Sequence, residues 1–89
     1  MELDFKVKGN QIHLTDQDVL DKLKNVRPEP LRTLVVKVRD TEYPVKQAFA
    51  VVLEDQGVDR ADFISHQARS VFQRLGFEVR RIRKAEGRE

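Results

Sequence analysis

The stretch "TLVVKVRDTEYPVKQAFAVVL", residues 33–53, contains the strongest strand signal and the strongest helix signal in the chain. Residues 33–40 are rich in β-branched side chains, which favour strands. Alternation along this predicted strand places three apolar residues on one face: Leu34, Val36 and Val38. After the polar corner "RDTE", Tyr43 is held extended by Pro44, and this proline suits the first position of a helix. The stretch therefore predicts a core strand that leads through a short corner into a helix.

Beyond the proline, the apolar pattern changes from a period of two to a helical period. The apolar side chains follow the spacing i, i+3, i+4, i+7 and i+8: Val45, Ala48, Phe49, Val52 and Leu53. Gly57 is a typical residue for the end of this helix. The pattern indicates a helix with one face packed on a core.

The C-terminal part of the chain predicts a further helix and a returning strand. Asp59 to Asp62 is an acidic helix-start signal, and Gly76 marks the helix end. The buried stripe of this helix is expected to contain Ile64, Ala68, Val71, Phe72 and Leu75. The following "FEVRRI" predicts a strand antiparallel to residues 33–40, since the two intervening helices form one compact excursion.

Alternating apolar residues on both sides of Gly9-Asn10 predict a β-hairpin near the start of the chain. With these two residues as the turn, Val7 would face Ile12 and Phe5 would face Leu14, so one face of the hairpin would be apolar.

A short helix is predicted after this hairpin. Residues 15–18, "TDQD", match a capping box, and apolar residues then recur at helical spacing. The prolines of "RPEP" force an extended connector, so the helix must end before them.

These elements predict an α+β fold, with a small antiparallel sheet, two to three packed helices and a helix-turn-helix-like pair between strands. At 89 residues the chain has the size of one domain, residues 1–89. Within it we expect three parts: the N-terminal hairpin and short helix at 2–26, the strand-helix-helix-strand core at 33–83, and a flexible basic tail at 84–89.

The composition favours a cytoplasmic protein. The chain has no cysteine, which suits a reducing compartment and excludes disulfides and thiolate zinc sites. No apolar run approaches the roughly 20 residues of a membrane span, and the first residues lack an apolar signal-peptide core. We therefore expect no membrane partner. The net charge of +2 does not by itself indicate nucleic acid.

No catalytic, cofactor or metal motif is recognisable. The chain contains only two histidines, no cysteine nucleophile and no Gly-x-Ser-x-Gly elbow. Asp16-x-Asp18 resembles the opening of a calcium loop, but the required glycine and glutamate are missing at the later positions. We expect a protein that is not an enzyme and that binds neither a cofactor nor a metal.

Lys46 is an unusual residue for the first turn of a helix. Helix N-termini carry partial positive charge and normally attract acids, and their free amides favour an anion. A lysine added to such amides would suit a backbone phosphate. Alternatively, Lys46 pairs with Glu42 or Asp40, and its stem covers the edge of the core.

The outer face of the third predicted helix offers a second constellation. Arg69 and Gln73 are suited to base edges, while Ser65 suits phosphates. A solvated helix face would have the same polar character. Tyr43 could stack on a base, as aromatic residues do in single-strand binders.

The segment "RRIRK" gives the chain a basic end that could attract an anionic partner. It contains four basic residues: Arg80, Arg81, Arg83 and Lys84. A solvated, frayed tail is the alternative interpretation.

The spacing "Y-P-x-K" at Tyr43 to Lys46, followed by Phe63 and by "A-R-x-x-x-x-x-L-G-F-x-V" at 68–79, resembles a small module of bacterial proteins related to restriction and HNH endonucleases. The resemblance covers residues 33–83 and implies an accessory unit beside a nuclease or other DNA-acting domain. The chain has no nuclease motif of its own, so the resemblance implies no catalysis.

Together these features predict a non-catalytic nucleic-acid-binding module, with DNA favoured over RNA. The alternative is a small protein-protein interaction or adaptor domain without a nucleic-acid role, which would use the hairpin or the acidic helix that contains Asp16, Asp18 and Asp21. The sequence leaves the oligomeric state open.

Overall fold

The structure is a computed structural model that describes residues 1–30 and 33–82. Two antiparallel sheets and three α-helices form the described part, which confirms the predicted α+β class. The elements are β1 (Glu2–Val7), β2 (Asn10–Thr15), α1 (Asp16–Lys22), β3 (Leu34–Val38), β4 (Thr41–Pro44), α2 (Val45–Leu53), α3 (Ser65–Arg74) and β5 (Glu78–Arg81). The predicted tail at 84–89, and with it Arg83 and Lys84, lies outside the described residues.

The larger sheet has the strand order β4-β3-β5, and both pairings are antiparallel. Val36 in the central strand pairs with Tyr43 on one side and with Val79 on the other. The return of β5 beside β3 confirms the antiparallel strand predicted at the C-terminal end of the core.

Strand β4 is an element that the sequence analysis did not predict. We expected only a polar corner before α2, but a two-residue turn begins at Arg39, whose φ of 59° reverses the chain into a hairpin. Pro44 ends this edge strand, where its missing N–H leaves no gap in the ladder. The helix therefore starts at Val45, and Pro44 is its N-cap rather than its first residue.

The β1-β2 hairpin forms, but its predicted register is wrong by two residues. Phe5 pairs with Ile12 and Leu3 with Leu14, because the turn is Lys8-Gly9 rather than Gly9-Asn10. Both turn residues have positive φ, 50° and 84°, as a tight two-residue hairpin turn requires. A shift of two leaves every side chain on its predicted face, so the apolar face still packs into the core.

Helix α1 begins with the predicted capping box. The Thr15 hydroxyl accepts a hydrogen bond from the Asp18 amide at 2.9 Å, and the Asp18 carboxylate accepts one from the Thr15 amide at 3.0 Å. These two bonds satisfy two backbone donors at the helix start. The helix ends at Lys22, before the prolines, as predicted.

Phe49 of α2 is the centre of the hydrophobic core. Its ring is fully buried and lies 4.6 Å from the ring of Phe63 and 5.7 Å from that of Phe72. A third ring, Phe5 of the hairpin, lies 6.0 Å away. The predicted apolar stripe of α2 is buried throughout. Through these ring contacts, Phe49 joins the hairpin, the connection after α2 and helix α3 into one core.

Helix α3 starts later than predicted. The acidic signal instead caps a short 3-10 turn at Arg60–Asp62, where the Asp59 carboxylate accepts from the Ala61 amide at 2.9 Å. The α-helix begins only at Ser65. Ile64 is therefore 64% exposed and is not part of the buried stripe, contrary to the prediction.

The remaining members of the α3 stripe are buried as predicted: Ala68, Val71, Phe72 and Leu75. Gly76 follows the helix with a φ of 94°, which confirms the predicted stop. Along the chain, α2 and α3 come between strands β4 and β5 of the larger sheet, as expected. Residues 54–64 connect the two helices with two 3-10 turns, a longer link than the roughly three-to-four-residue turn of helix-turn-helix proteins.

Candidate anion-binding groove

A groove of about 460 Å³ lies where α2, α3 and β5 meet the connector that follows α1. Its lining comes from four parts of the chain: Glu29, Pro30, Thr33 and Leu34 from the connector and β3, Pro44, Val45, Lys46 and Gln47 from the start of α2, Arg60, Ser65 and His66 around the start of α3, and Arg81 from β5. Three predicted site residues, Lys46, Ser65 and Arg81, therefore share one concavity.

Gln47 fixes the connector as one wall of the groove. Its side chain is 6% exposed, and its oxygen accepts a hydrogen bond from the Glu29 amide at 2.9 Å. Its nitrogen donates to the Arg27 carbonyl at 3.0 Å, so both ends of the amide are satisfied. This role of Gln47 was not predicted from the sequence, although a glutamine beside the apolar stripe of a core helix is a signal for a buried polar contact.

An ion pair between two residues that line the groove adds a second tie to the connector. Two guanidinium nitrogens of Arg60 donate to the two carboxylate oxygens of Glu29, at 3.0 and 2.8 Å. Hydrogen bonding to this carboxylate raises the pKa of Arg60. Because the pair is bidentate, it restricts the relative orientation of the two side chains. It also neutralises the charge of each partner.

Lys46 is not paired with an acid in the part of the chain that the structure describes. No carboxylate oxygen there lies within 4.0 Å of its ammonium group. The alternative pairing with Glu42 fails because Arg80 occupies that carboxylate. Instead, the ammonium lies 5.7 Å from the centre of the Phe63 ring, a cation–π distance. Its half-buried stem and free charge leave Lys46 available to an anion.

The two basic residues of β5 face opposite sides of the sheet. Arg80 makes a bidentate pair with Glu42, at 2.8 and 2.9 Å, on the face away from the helices. Arg81 pairs with Leu34 in the register, lies on the helix side and lines the groove. Of the predicted basic cluster, Arg80 and Arg81 therefore lie on different faces, because alternation along a strand separates neighbouring side chains.

The N-termini of both core helices open into this groove without side-chain caps. The N-cap residues are Pro44 for α2 and Ile64 for α3, and neither makes a side-chain hydrogen bond to the helix. The first turn of each helix contains no acid. By contrast, α1 is capped by Thr15. The free amides and the helix dipoles therefore add positive potential on the side that contains Lys46.

Ser65, Arg69 and Gln73 form a stripe along α3 that starts in the groove. Residues four apart lie on the same helix face, so Arg69 follows Ser65 by one turn and Gln73 by two. Ser65 and Arg69 are half-buried, whereas Gln73 is exposed. Ser65 and Lys46 line the same groove, so the first residue of the stripe lies in the concavity that contains Lys46.

Tyr43 cannot act as the predicted stacking platform, because it is a core residue. Its side chain is 5% exposed, and its hydroxyl donates to the carbonyls of Leu23 and Val26, each at 3.1 Å. The hydroxyl thus holds the end of α1 against the larger sheet. The alternation of β4 determines this direction, and β4 is not a predicted strand.

The acidic residues of α1 are engaged in local hydrogen bonds. Asp16 accepts from the Met1 amino group at 3.0 Å, which lowers the pKa of Asp16, and Asp21 accepts from Gln17 at 3.1 Å. Asp18 belongs to the capping box. These contacts explain the acidic cluster as part of the N-terminal structure.

His13 lies on the hairpin between two carboxylates. Its two ring nitrogens are 2.7 Å from Asp4 and 3.2 Å from Glu2. The hydrogen bond to Asp4 raises the pKa of His13. The carboxylates contact different nitrogens of the ring, and within residues 1–30 and 33–82 no group of three acidic or histidine side chains could hold a metal ion.

Among the described helices, none has both the length and the apolar character needed to cross a membrane.

Comparison with known proteins assigns the chain to a protein family. No curated protein and no solved structure matches the chain. The family model described as SCO5918-like matches residues 9–89, from the turn of the first hairpin onward. Since this match covers more than half of the sequence, the chain belongs to the SCO5918-like family.

Proposed function

We propose that this protein is a non-catalytic nucleic-acid-binding module, with DNA as the favoured partner. The groove would hold a phosphate, and the α3 stripe of Ser65, Arg69 and Gln73 would follow the neighbouring backbone or groove. The single observation that supports this most is that Lys46 and Arg81 line one groove, while neither has a carboxylate partner among the described residues.

The chemistry of these groups suits a phosphate. Lysine, arginine, serine and the amides at helix N-termini are the usual donors to phosphate oxygens in protein–DNA interfaces. Arginine and glutamine can in addition read base edges, which is the role proposed for Arg69 and Gln73. The polar part of the groove supplies hydrogen-bond donors and positive charge, which suit binding of an anion rather than a reaction.

Fewer basic residues are available for contact with a phosphate than the composition suggests. Arg80 is held by Glu42 and Arg60 by Glu29, so neither adds a free charge to this surface. Phosphate attraction by the described residues would then come mainly from Lys46, Arg69 and Arg81. We propose that the module acts beside a DNA-acting domain, as its resemblance to modules of restriction-related proteins implies.

The test is a fluorescence-anisotropy titration with mixed-sequence duplex and single-stranded DNA at several salt concentrations. We expect affinity to fall steeply with salt, and Lys46→Ala and Arg69→Ala each to reduce the slope of log affinity against log salt by about 0.9. Lys37→Ala is the matched control, because Lys37 is exposed on the opposite face of the sheet. It should leave the slope unchanged.

Two outcomes would refute this function. One is a lack of DNA or RNA binding even at low salt, which would favour the protein-interaction alternative. The other is an equal effect of Lys37→Ala and Lys46→Ala, since that would indicate a diffuse charge effect rather than a contact surface at the groove.

A further inference from the structure

The groove differs from a simple basic patch because one of its walls is apolar. Pro30 and Leu34 contribute this apolar surface, whereas Lys46 and Arg81 supply the charge; Pro44 and Val45 also line the groove but are almost fully buried. A volume of about 460 Å³ falls within the range of roughly 300–1,000 Å³ that is typical of small-molecule sites. A lone phosphate would leave the apolar wall without a partner.

The balance of charge in the groove favours a dianion. Among the described residues that line the groove, Arg60 and Glu29 form a bidentate pair, and the further positive charges are those of Lys46 and Arg81. A phosphodiester within a nucleic-acid strand carries one negative charge. A phosphate monoester carries about 1.5 to 2 negative charges near neutral pH. Two free cations therefore match a monoester better than a diester.

From these two features we infer that the groove binds a nucleotide with a terminal phosphate monoester. The phosphate would lie between Lys46 and Arg81, and the sugar and base would pack on the apolar wall. The same chemistry occurs at the 5′-phosphorylated end of a strand and in a free mononucleotide. This inference builds on the proposed nucleic-acid function, and it adds selectivity for a strand end.

The connector gives the groove a fixed wall for such a ligand. Gln47 holds the backbone of residues 27 and 29, and the Arg60–Glu29 pair holds the side chain of position 29. A wall tied at two points is preformed, so little ordering is needed when the ligand binds. Internal phosphates of the same strand would follow the stripe of Ser65, Arg69 and Gln73 on α3.

The inference is tested with two single-stranded oligonucleotides of one sequence, with and without a 5′-phosphate, by anisotropy at one salt concentration. We expect the phosphorylated strand to bind about tenfold more tightly, as is typical of a charge-assisted phosphate contact. Lys46→Gln and Arg81→Gln should each remove this preference, whereas Lys37→Gln should retain it. Thermal unfolding of each variant shows whether it is folded.

Competition with small probes separates the two sources of the ligand. Deoxyadenosine 5′-monophosphate, deoxyadenosine and inorganic phosphate are each added to the preformed complex. Competition by the mononucleotide alone supports the inference and extends it to free nucleotides. A 5′-phosphate preference without competition by the mononucleotide assigns the site to strand ends. Equal competition by inorganic phosphate overturns the role of the apolar wall, and with it the nucleotide assignment.

The failure of this inference can be distinguished from failure of the proposed function. Equal, salt-dependent affinity for both strands overturns the terminal-phosphate inference and leaves nucleic-acid binding intact. Binding of the mononucleotide without binding of either strand supports the groove but refutes the nucleic-acid function. A preference that survives in both Lys46→Gln and Arg81→Gln places the phosphate elsewhere and overturns the inference.

Discussion

Replacement of Gln47 by methionine should destabilise the protein although the new side chain is apolar and similar in size. The change removes the hydrogen bond that the Glu29 amide donates to Gln47, at 2.9 Å, and the one that Gln47 donates to the Arg27 carbonyl, at 3.0 Å. The glutamine side chain is 6% exposed, so water replaces these bonds poorly. At about 1 kcal/mol for each bond, the free energy of unfolding should fall by about 2 kcal/mol.

For a domain of this size, 2 kcal/mol corresponds to a decrease in melting temperature of about 8–16 °C. The assay is thermal and urea unfolding followed by circular dichroism. Gln56→Met is the matched control, because the Gln56 amide makes the same pair of backbone bonds to His13, at 3.4 and 3.0 Å, but is exposed. As an exposed position, it should change stability by less than about 0.5 kcal/mol.

The comparison of these two glutamines isolates the effect of burial. If Gln56→Met were as costly as Gln47→Met, the loss would reflect hydrogen-bond number alone, and the argument from burial would be refuted. If Gln47→Met left the melting temperature unchanged, the connector would not be held by this amide. The groove wall, and the preorganisation inferred from it, would then lose their basis.

Three further predictions follow from individual contacts. Tyr43→Phe should lower the free energy of unfolding by about 1 kcal/mol and leave nucleic-acid affinity unchanged, since the hydroxyl bonds within the core; an affinity loss with unchanged stability in thermal melts would contradict this. Thr15→Ala removes an N-cap and should cost about 1 kcal/mol in urea unfolding, with exposed Thr33→Ala as the control, and equal effects would argue against capping. The raised pKa of His13 means that its pair with Asp4 stabilises the fold below pH about 6.5, and that this contribution disappears as pH rises through the raised pKa. Wild type should therefore exceed Asp4→Asn in melting temperature at about pH 5.5 and converge with it in alkaline solution, and a constant difference across pH would exclude the linkage.

Local pattern predicted most elements because their signals depend on near neighbours in the chain. The apolar stripe of α2 and the alternation of β3 each placed the correct side chains in the core. The Thr15 capping box was also correct, since both partners lie within three residues. By contrast, the hairpin register depended on whether a lysine would accept a φ of 50° at position 8, and composition alone favoured the wrong pair of turn residues.

The candidate site was predictable only in part. Lys46 could be selected from the sequence because a cation at a helix start is locally unusual. The partnership of Glu29 with Arg60 was not recognisable, because these residues are 31 positions apart and approach only when the connector crosses the helix starts. Strand alternation also assigned Arg80 and Arg81 to opposite faces, where the sequence suggested a single basic cluster.

The sequence by itself determined the α+β class, the core faces and the order of the predicted strands and helices, because hydrophobic period and turn chemistry act over a few residues. Only the tertiary structure decided which charges remain available. It directed Tyr43 into the core, paired Arg80 with Glu42, and brought Lys46, Ser65 and Arg81 to one groove. The physical reason is that burial and ion pairing depend on distances between segments, and the chain fixes those distances only when its apolar faces pack together.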